Sequence, residues 1–184
     1  FARFVAKELG VAEGDVLAWD VMVHDLEPAR LLGIDDEFVS APRIDNLASC
    51  HSAVQALIAQ LDAGDWDSGA PGIPVICLYD HEEIGSESAT GAAGAMLPTV
   101  LERSAAAAGL DRDAWFASLA ASACLSADGA HATHPNYVGR HEPGHLVAVN
   151  GGPVLKHNAN VRYATDATGE ALVAAAAERA GVGL

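Results

Sequence analysis

Positive charge is scarce in this chain, with 10 Lys and Arg against 25 Asp and Glu and a formal net charge of −15. Nucleic acid and anionic membrane surfaces are poor partners for such a molecule, and an anionic substrate would need a local cation. Cysteine is sparse as well. Cys50, Cys77 and Cys124 each lie in an apolar segment and share no short spacing, so they read as buried free thiols in a reducing compartment. No run approaches roughly 18 uninterrupted apolar residues and no charged-then-apolar leader opens the sequence, so neither a membrane span nor a secretory signal is expected. The cytoplasm is the expected location. No glycine cluster matches a phosphate-binding loop; Gly91 and Gly94 are expected to permit close packing against a sheet. What the chain does have is apolar material: 51% hydrophobic residues over 184 positions, much of it alanine in helical segments, enough for one folded domain with a core.

The densest chemistry is Asp80-His81-Glu82-Glu83-Ile84-Gly85-Ser86, which follows the apolar run Val75-Ile76-Cys77-Leu78-Tyr79 directly. That run, rich in β-branched residues and opened by Pro74, predicts a buried strand of a parallel or mixed sheet. Ligands bind at the C-terminal edge of such sheets, and four titratable side chains in a row there are poor structural material. A divalent metal would balance the charge, one glutamate ligating it and the other handling protons. The plainer alternative is a solvated acidic turn.

In chain order, Phe1, Phe4, Val5 and Leu9 predict a helix stopped by Gly10, residues 15–25 look extended, and Pro28 and Gly33 punctuate a loop running to Asp36. An amphipathic helix is predicted from Leu47 to Leu61, with Asn46 as N-cap and Asp45 at its entrance, where amide dipoles favour a carboxylate. Asp45 is either a capping acid or the upstream partner of the Glu82-Glu83 edge. Residues 87–108 predict a helix that Pro98 kinks or restarts, and Asp111 opens another through Leu119. Cys124-Leu125-Ser126 reads as the end of a second buried strand that delivers Asp128, His131 and His134. Acids at two strand ends meeting in one cleft are what a two-metal hydrolase requires. Pro153-Val154-Leu155-Lys156 is a short strand ending on a lysine, either solvated or the cation for an anionic substrate. A last helix is expected with Thr168 as cap and Gly181 as stop. Alternation of this kind indicates a layered α/β domain.

His141-Glu142-Pro143-Gly144-His145 satisfies the H-E-x-x-H pattern of zinc proteases, which works because a helix places both histidines on one face. Pro and Gly cost about 3 and 1 kcal/mol in a helix interior, so a loop is expected here.

Four blocks now stand in order: Ser40-Ala41-Pro42-Arg43-Ile44-Asp45-Asn46-Leu47-Ala48-Ser49-Cys50; Asp80 to Ser86; Ser126-Ala127-Asp128 through His131 to His134-Pro135-Asn136-Tyr137; and Gly152-Pro153-Val154-Leu155-Lys156 with Arg162-Tyr163-Ala164. Together they strongly resemble the aspartyl aminopeptidase family of dinuclear zinc exopeptidases. The resemblance implies removal of N-terminal Asp or Glu from peptides, two Zn2+ per site with Mn2+ or Co2+ as alternatives, and a homo-oligomer. It implies that Asp45 bridges the metals, that Glu83 and Asp128 bind one each, and that Glu82 is the general base. His131, Lys156 and Tyr163 match substrate-contacting positions, and the peptide bond after Asp45 is expected to be cis. The implied fold is three-layered, a mixed and largely parallel sheet flanked by helices, incomplete at both ends. Residues 1–37 match the tail of an inserted oligomerisation domain and 38–184 the central part of the catalytic domain.

The family also uses a histidine ligand near each end of a chain more than twice as long, and neither motif is found here. A central fragment that binds zinc poorly and hydrolyses little by itself is therefore expected. The competing expectation is a non-catalytic relic that keeps the fold and serves only in assembly.

Overall fold

The computed structural model describes residues 1–64 and 72–184, which divide into two compact units, Phe1–Arg43 and Ile44–Leu184. In the first unit, helix α1 (Ala2–Leu9) forms where the apolar spacing predicts it. Gly10 ends it in the left-handed region at φ 69°, and the Val11 N–H returns to the Ala6 carbonyl at 3.0 Å. Residues 16–29 join no ladder. The expected loop up to Asp36 instead contains a small antiparallel hairpin, β1 (Arg30–Leu32) paired with β2 (Phe38–Ser40), with Leu31 opposite Val39. Three-residue strands are too short for alternation to show in a sequence. Gly33, at φ 106°, turns between them, and a side chain there would run into the Glu37 carboxylate. Because β2 pairs with β1, residues 38–40 fall in the first unit.

The second unit opens on α2 (Ile44–Asp62), which is interrupted at once. Asp45 and Asn46 have non-helical φ/ψ and the peptide bond between them is cis, so regular helix runs from Leu47 onward. The Asn46 side-chain oxygen accepts from the Cys50 thiol at 3.3 Å. Helix α3 (Met96–Ala107) starts later than expected, with Pro98 in its first turn, where its missing N–H has no intrahelical acceptor to lose. Helix α4 (Arg112–Ala120) is capped as expected by Asp111, whose Oδ1 accepts from the Ala114 N–H at 2.8 Å. Helix α5 (Ala167–Ala180) is capped by Asp166 rather than Thr168, and Gly181 closes it at φ 68°. No helix among the described residues is long and apolar enough to cross a membrane.

The hairpin is the sheet found among the described residues. The mixed, largely parallel sheet expected from 75–79, 124–126 and 153–156 is not formed by them, and those segments join no ladder. A strand exists only through the neighbour that takes its backbone hydrogen bonds. Without one, apolar side chains of these segments stay in water: Val75 is 54%, Leu78 52% and Leu125 78% exposed. Among the described residues, Ala6 is the buried apolar one. The cysteines follow suit. They are free thiols, but Cys50 and Cys77 are half-buried and Cys124 is exposed.

Local order nevertheless concentrates where the acids are. Residues 87–95 wind as turns instead of helix, and they close a loop on the segment that carries Glu82 and Glu83. The Asp80 N–H donates to the Thr90 carbonyl at 3.2 Å, and the Ala93 N–H donates to the Ser86 carbonyl at 3.1 Å. His81, in the left-handed region at φ 66°, shares a 2.6 Å hydrogen bond through Nδ1 with the Ser88 hydroxyl. Gly91 is buried against the Ser86 backbone so closely that a Cβ there would overlap the Ser86 carbonyl. The close approach expected of this glycine is thus real, but its partner is the loop's own backbone.

Gly91→Ala is expected to open this loop and to cost about 1–3 kcal/mol, the usual range for overpacking. Urea unfolding of parent and variant measures it, and an unchanged midpoint would show that the loop yields at no cost.

Candidate metal centre

Three chain segments bring acids to one place. Asp45 arrives at the broken start of α2, Glu82 and Glu83 in a 3-10 turn (Glu82–Ile84) behind His81, and Asp128 from the irregular stretch after α4. All four line an open cleft of about 430 Å³, and His131, Lys156 and Tyr163 line it with them. Every residue singled out from the sequence as a site residue therefore faces this one cleft.

The arrangement is held by a short relay of hydrogen bonds. Lys156 Nζ donates to Asp128 Oδ2 at 2.8 Å and to the Gly129 carbonyl at 2.6 Å. The Gly129 N–H in turn donates to Asp45 Oδ1 at 3.2 Å. Tyr163 presents its ring 5.7 Å from the same ammonium. Each of the two aspartates thus has one oxygen held by the protein, while the other takes no N–H or ammonium donor among the described residues.

The electrostatics record the crowding. The hydrogen bond from Lys156 holds the Asp128 carboxyl below its ordinary value, against partial desolvation, with help from the Lys156 charge, the Gly129 backbone and the Asp45 carboxyl. Glu82 moves the other way. Lost hydration raises it first, followed by repulsion from Glu83, Asp128 and Asp45, with Lys156 opposing. Its side chain is exposed, so the three neighbouring carboxylates are the more durable cause.

Whether such residues suit zinc is a question of donor chemistry. Four carboxylates face one ammonium, an excess of negative charge that a divalent cation would neutralise, and the unclaimed oxygens of Asp45 and Asp128 are available to it. Among the described residues no three His, Cys, Asp or Glu stand close enough to enclose an ion on their own. The donor chemistry is thus that of a divalent-metal site, but the acids share one cleft without closing around an ion by themselves.

Two residues of the cleft carry more weight than their sequence suggested. Gly129 has Asp45 pressed against it, since a Cβ there would lie 2.7 Å from Asp45 Cγ. An Asp-Gly pair in a loop gives no hint of that contact. His141 also lines the cleft, apart from the zinc-protease pattern in which it was first noticed. The 141–145 stretch is a turn, as Pro143 and Gly144 require. Glu142 spends its carboxylate on that turn, accepting from the Gly144 N–H at 2.8 Å and pairing with His145 Nδ1 at 2.6 Å.

Residues 1–184 match the family described as Aminopeptidase I zinc metalloprotease (M18), and the chain belongs to it. It is 49% identical over 182 residues to a probable M18 family aminopeptidase 2 of Mycobacterium leprae, aligning 99% of this chain with 41% of that protein. The corresponding protein of Streptomyces coelicolor is 48% identical, with 97% of this chain and 41% of the relative aligned. Among solved structures, yeast aminopeptidase 1 (Ape1) superposes with a TM-score of 0.77 at 33% identity, over 99% of this chain and 41% of that one. A chain from the cryo-EM structure of the Ape4 and Nbr1 complex gives 0.73 at 41% identity, over 86% of this chain and 30% of the other. The chain thus spans about two fifths of the length of the curated relatives it matches. Family membership brings zinc as the metal in question.

Gly129→Ala is expected to push the Asp45 carboxyl off the Gly129 amide and to weaken zinc binding by about tenfold or more. Zinc titration against a chromophoric chelator checks this, and unchanged affinity would mean that the Asp45–Gly129 contact is dispensable.

Proposed function

We propose that this chain carries the catalytic acids of a metallo-aminopeptidase that removes N-terminal Asp or Glu from peptides. The observation that supports it most is the meeting of Asp45, Glu82, Glu83 and Asp128 in one cleft beside Lys156. In this reading Asp45 would hold two zinc ions jointly, Glu83 one of them and Asp128 the other. Zinc, when bound, supplies polarisation of the scissile carbonyl and acidification of water. Glu82 takes the proton from the attacking water and delivers it to the departing amine. It lines the same cleft as the three proposed ligands, which puts a proton acceptor beside the metals. Mn2+ or Co2+ are the alternative metals, since an oxygen-rich set discriminates weakly against them.

Specificity for an acidic side chain rests on the cleft's cation. In a chain of net charge −15, an incoming carboxylate is repelled almost everywhere. Lys156 has spent two of its three N–H bonds within the protein and keeps one for such a group, while His131 and Tyr163 supply further contacts along the wall. We assign residues 1–37 to the tail of an oligomerisation domain and 38–184 to the catalytic domain of a cytoplasmic homo-oligomer. The unpaired segments 75–79, 124–126 and 153–156 would enter the mixed sheet of a three-layered fold. A purely structural relic is the weaker reading, because four acids and their lysine have no reason to stay assembled in one.

Glu82→Gln in the native protein is expected to lower hydrolysis of an N-terminal aspartyl substrate by about 10²–10⁴-fold with zinc content unchanged. Turnover on aspartyl and alanyl substrates, with zinc measured by atomic absorption, decides it. Undiminished activity of the variant, or indifference of the parent to the N-terminal residue, would contradict the proposal.

A further inference from the structure

Lys156 is gripped more firmly than a substrate contact needs to be. Its side chain is 28% exposed, against 42% for Asp128, and it makes two short bonds to consecutive residues, one to the Asp128 carboxylate and one to the Gly129 carbonyl. Gly129 is therefore held at both ends, its carbonyl by the ammonium and its amide by Asp45 Oδ1. Asp45 lies where a side chain at position 129 would stand, a Cβ there falling 2.7 Å from its Cγ, so the contact depends on the glycine.

We infer that Lys156 is a positioning residue that sets two metal-ligand acids at once. It orients Asp128 directly, and it orients Asp45 through the Gly129 peptide. This rests on the reading of the two aspartates as zinc ligands and goes beyond the substrate contact assigned to the lysine above. The physical reason is the one that governs the surroundings of metal sites generally: a carboxylate with one oxygen pinned presents the other in a fixed direction, and loss of the pin weakens metal binding about 10–100-fold. A single ammonium serves both acids because the Gly129 peptide carries the constraint from one to the other. Arg is a poor replacement, since its planar fork is wider than one ammonium point and cannot place the same charge between a carboxylate and the adjacent carbonyl.

The test is zinc affinity in the native protein stripped by chelation, measured by competition with a chromophoric chelator, for the parent, Lys156→Met and Lys156→Arg. The inference requires both variants to bind zinc at least about tenfold more weakly than the parent. Circular dichroism identifies folded material, and Lys156→Arg, which keeps the charge, serves should Lys156→Met fail to fold. Parent-like zinc affinity in the folded variants, with only a raised KM for acidic substrates, would overturn the inference and leave the metal centre standing. A parent protein that takes up no zinc would overturn both.

Discussion

Four carboxylates in one open cleft repel one another, and the second unit of this protein depends on the way that repulsion is contained. The Lys156 ammonium, lodged between Asp128 and the Gly129 carbonyl, is the cation that lines the cleft with them. Through the Gly129 amide its influence reaches Asp45 on a different segment. The Glu82-Glu83 turn is fixed independently, by the His81–Ser88 hydrogen bond and by the close seat of Gly91 under Ser86. The cleft is thus built from polar and backbone contacts, at a place where the apolar segments around it find little to pack on.

That division explains an otherwise odd molecule. Helices α2 to α5 close their backbone hydrogen bonds within themselves and need no neighbouring strand to take them. Segments 75–79, 124–126 and 153–156 have apolar composition but no ladder, and their side chains are half-buried or exposed, none of them buried. The chain spans about two fifths of its curated relatives, yet it superposes on yeast aminopeptidase 1 with a TM-score of 0.77. The backbone thus follows that of a solved family member although these segments form no ladder.

Much of the site was legible in the sequence because its chemistry is dense and local. Asp80 to Ser86 and the Asp128 region announce themselves as acids following apolar runs, and the four blocks together point to the family. Legible too were the stops at Gly10 and Gly181 and the cap at Asp111, where one residue type does one physical task. The rest was hidden for identifiable reasons. The hairpin at 30–40 is too short for periodicity, and the turns of 87–95 carry alanines that also suit a helix, although Gly91 and Gly94 disfavour one. Asp166 is the cap because it stands just before Ala167, the first helical residue, while Thr168 is already inside the helix. Gly129 matters through a contact between residues 84 positions apart, which no local pattern encodes. The expected large sheet failed to appear for a different reason, since apolar composition marks a strand's candidates but only a neighbour makes the strand.

Acids from three segments are proposed to serve the same metal centre. X-ray diffraction from zinc-soaked crystals, recorded on either side of the zinc absorption edge, tests it most directly. Anomalous peaks among the carboxyl groups of Asp45, Glu83 and Asp128 are the predicted result. Zinc seated instead between His141 and His145, or bound at scattered surface sites with the cleft acids untouched, would contradict it.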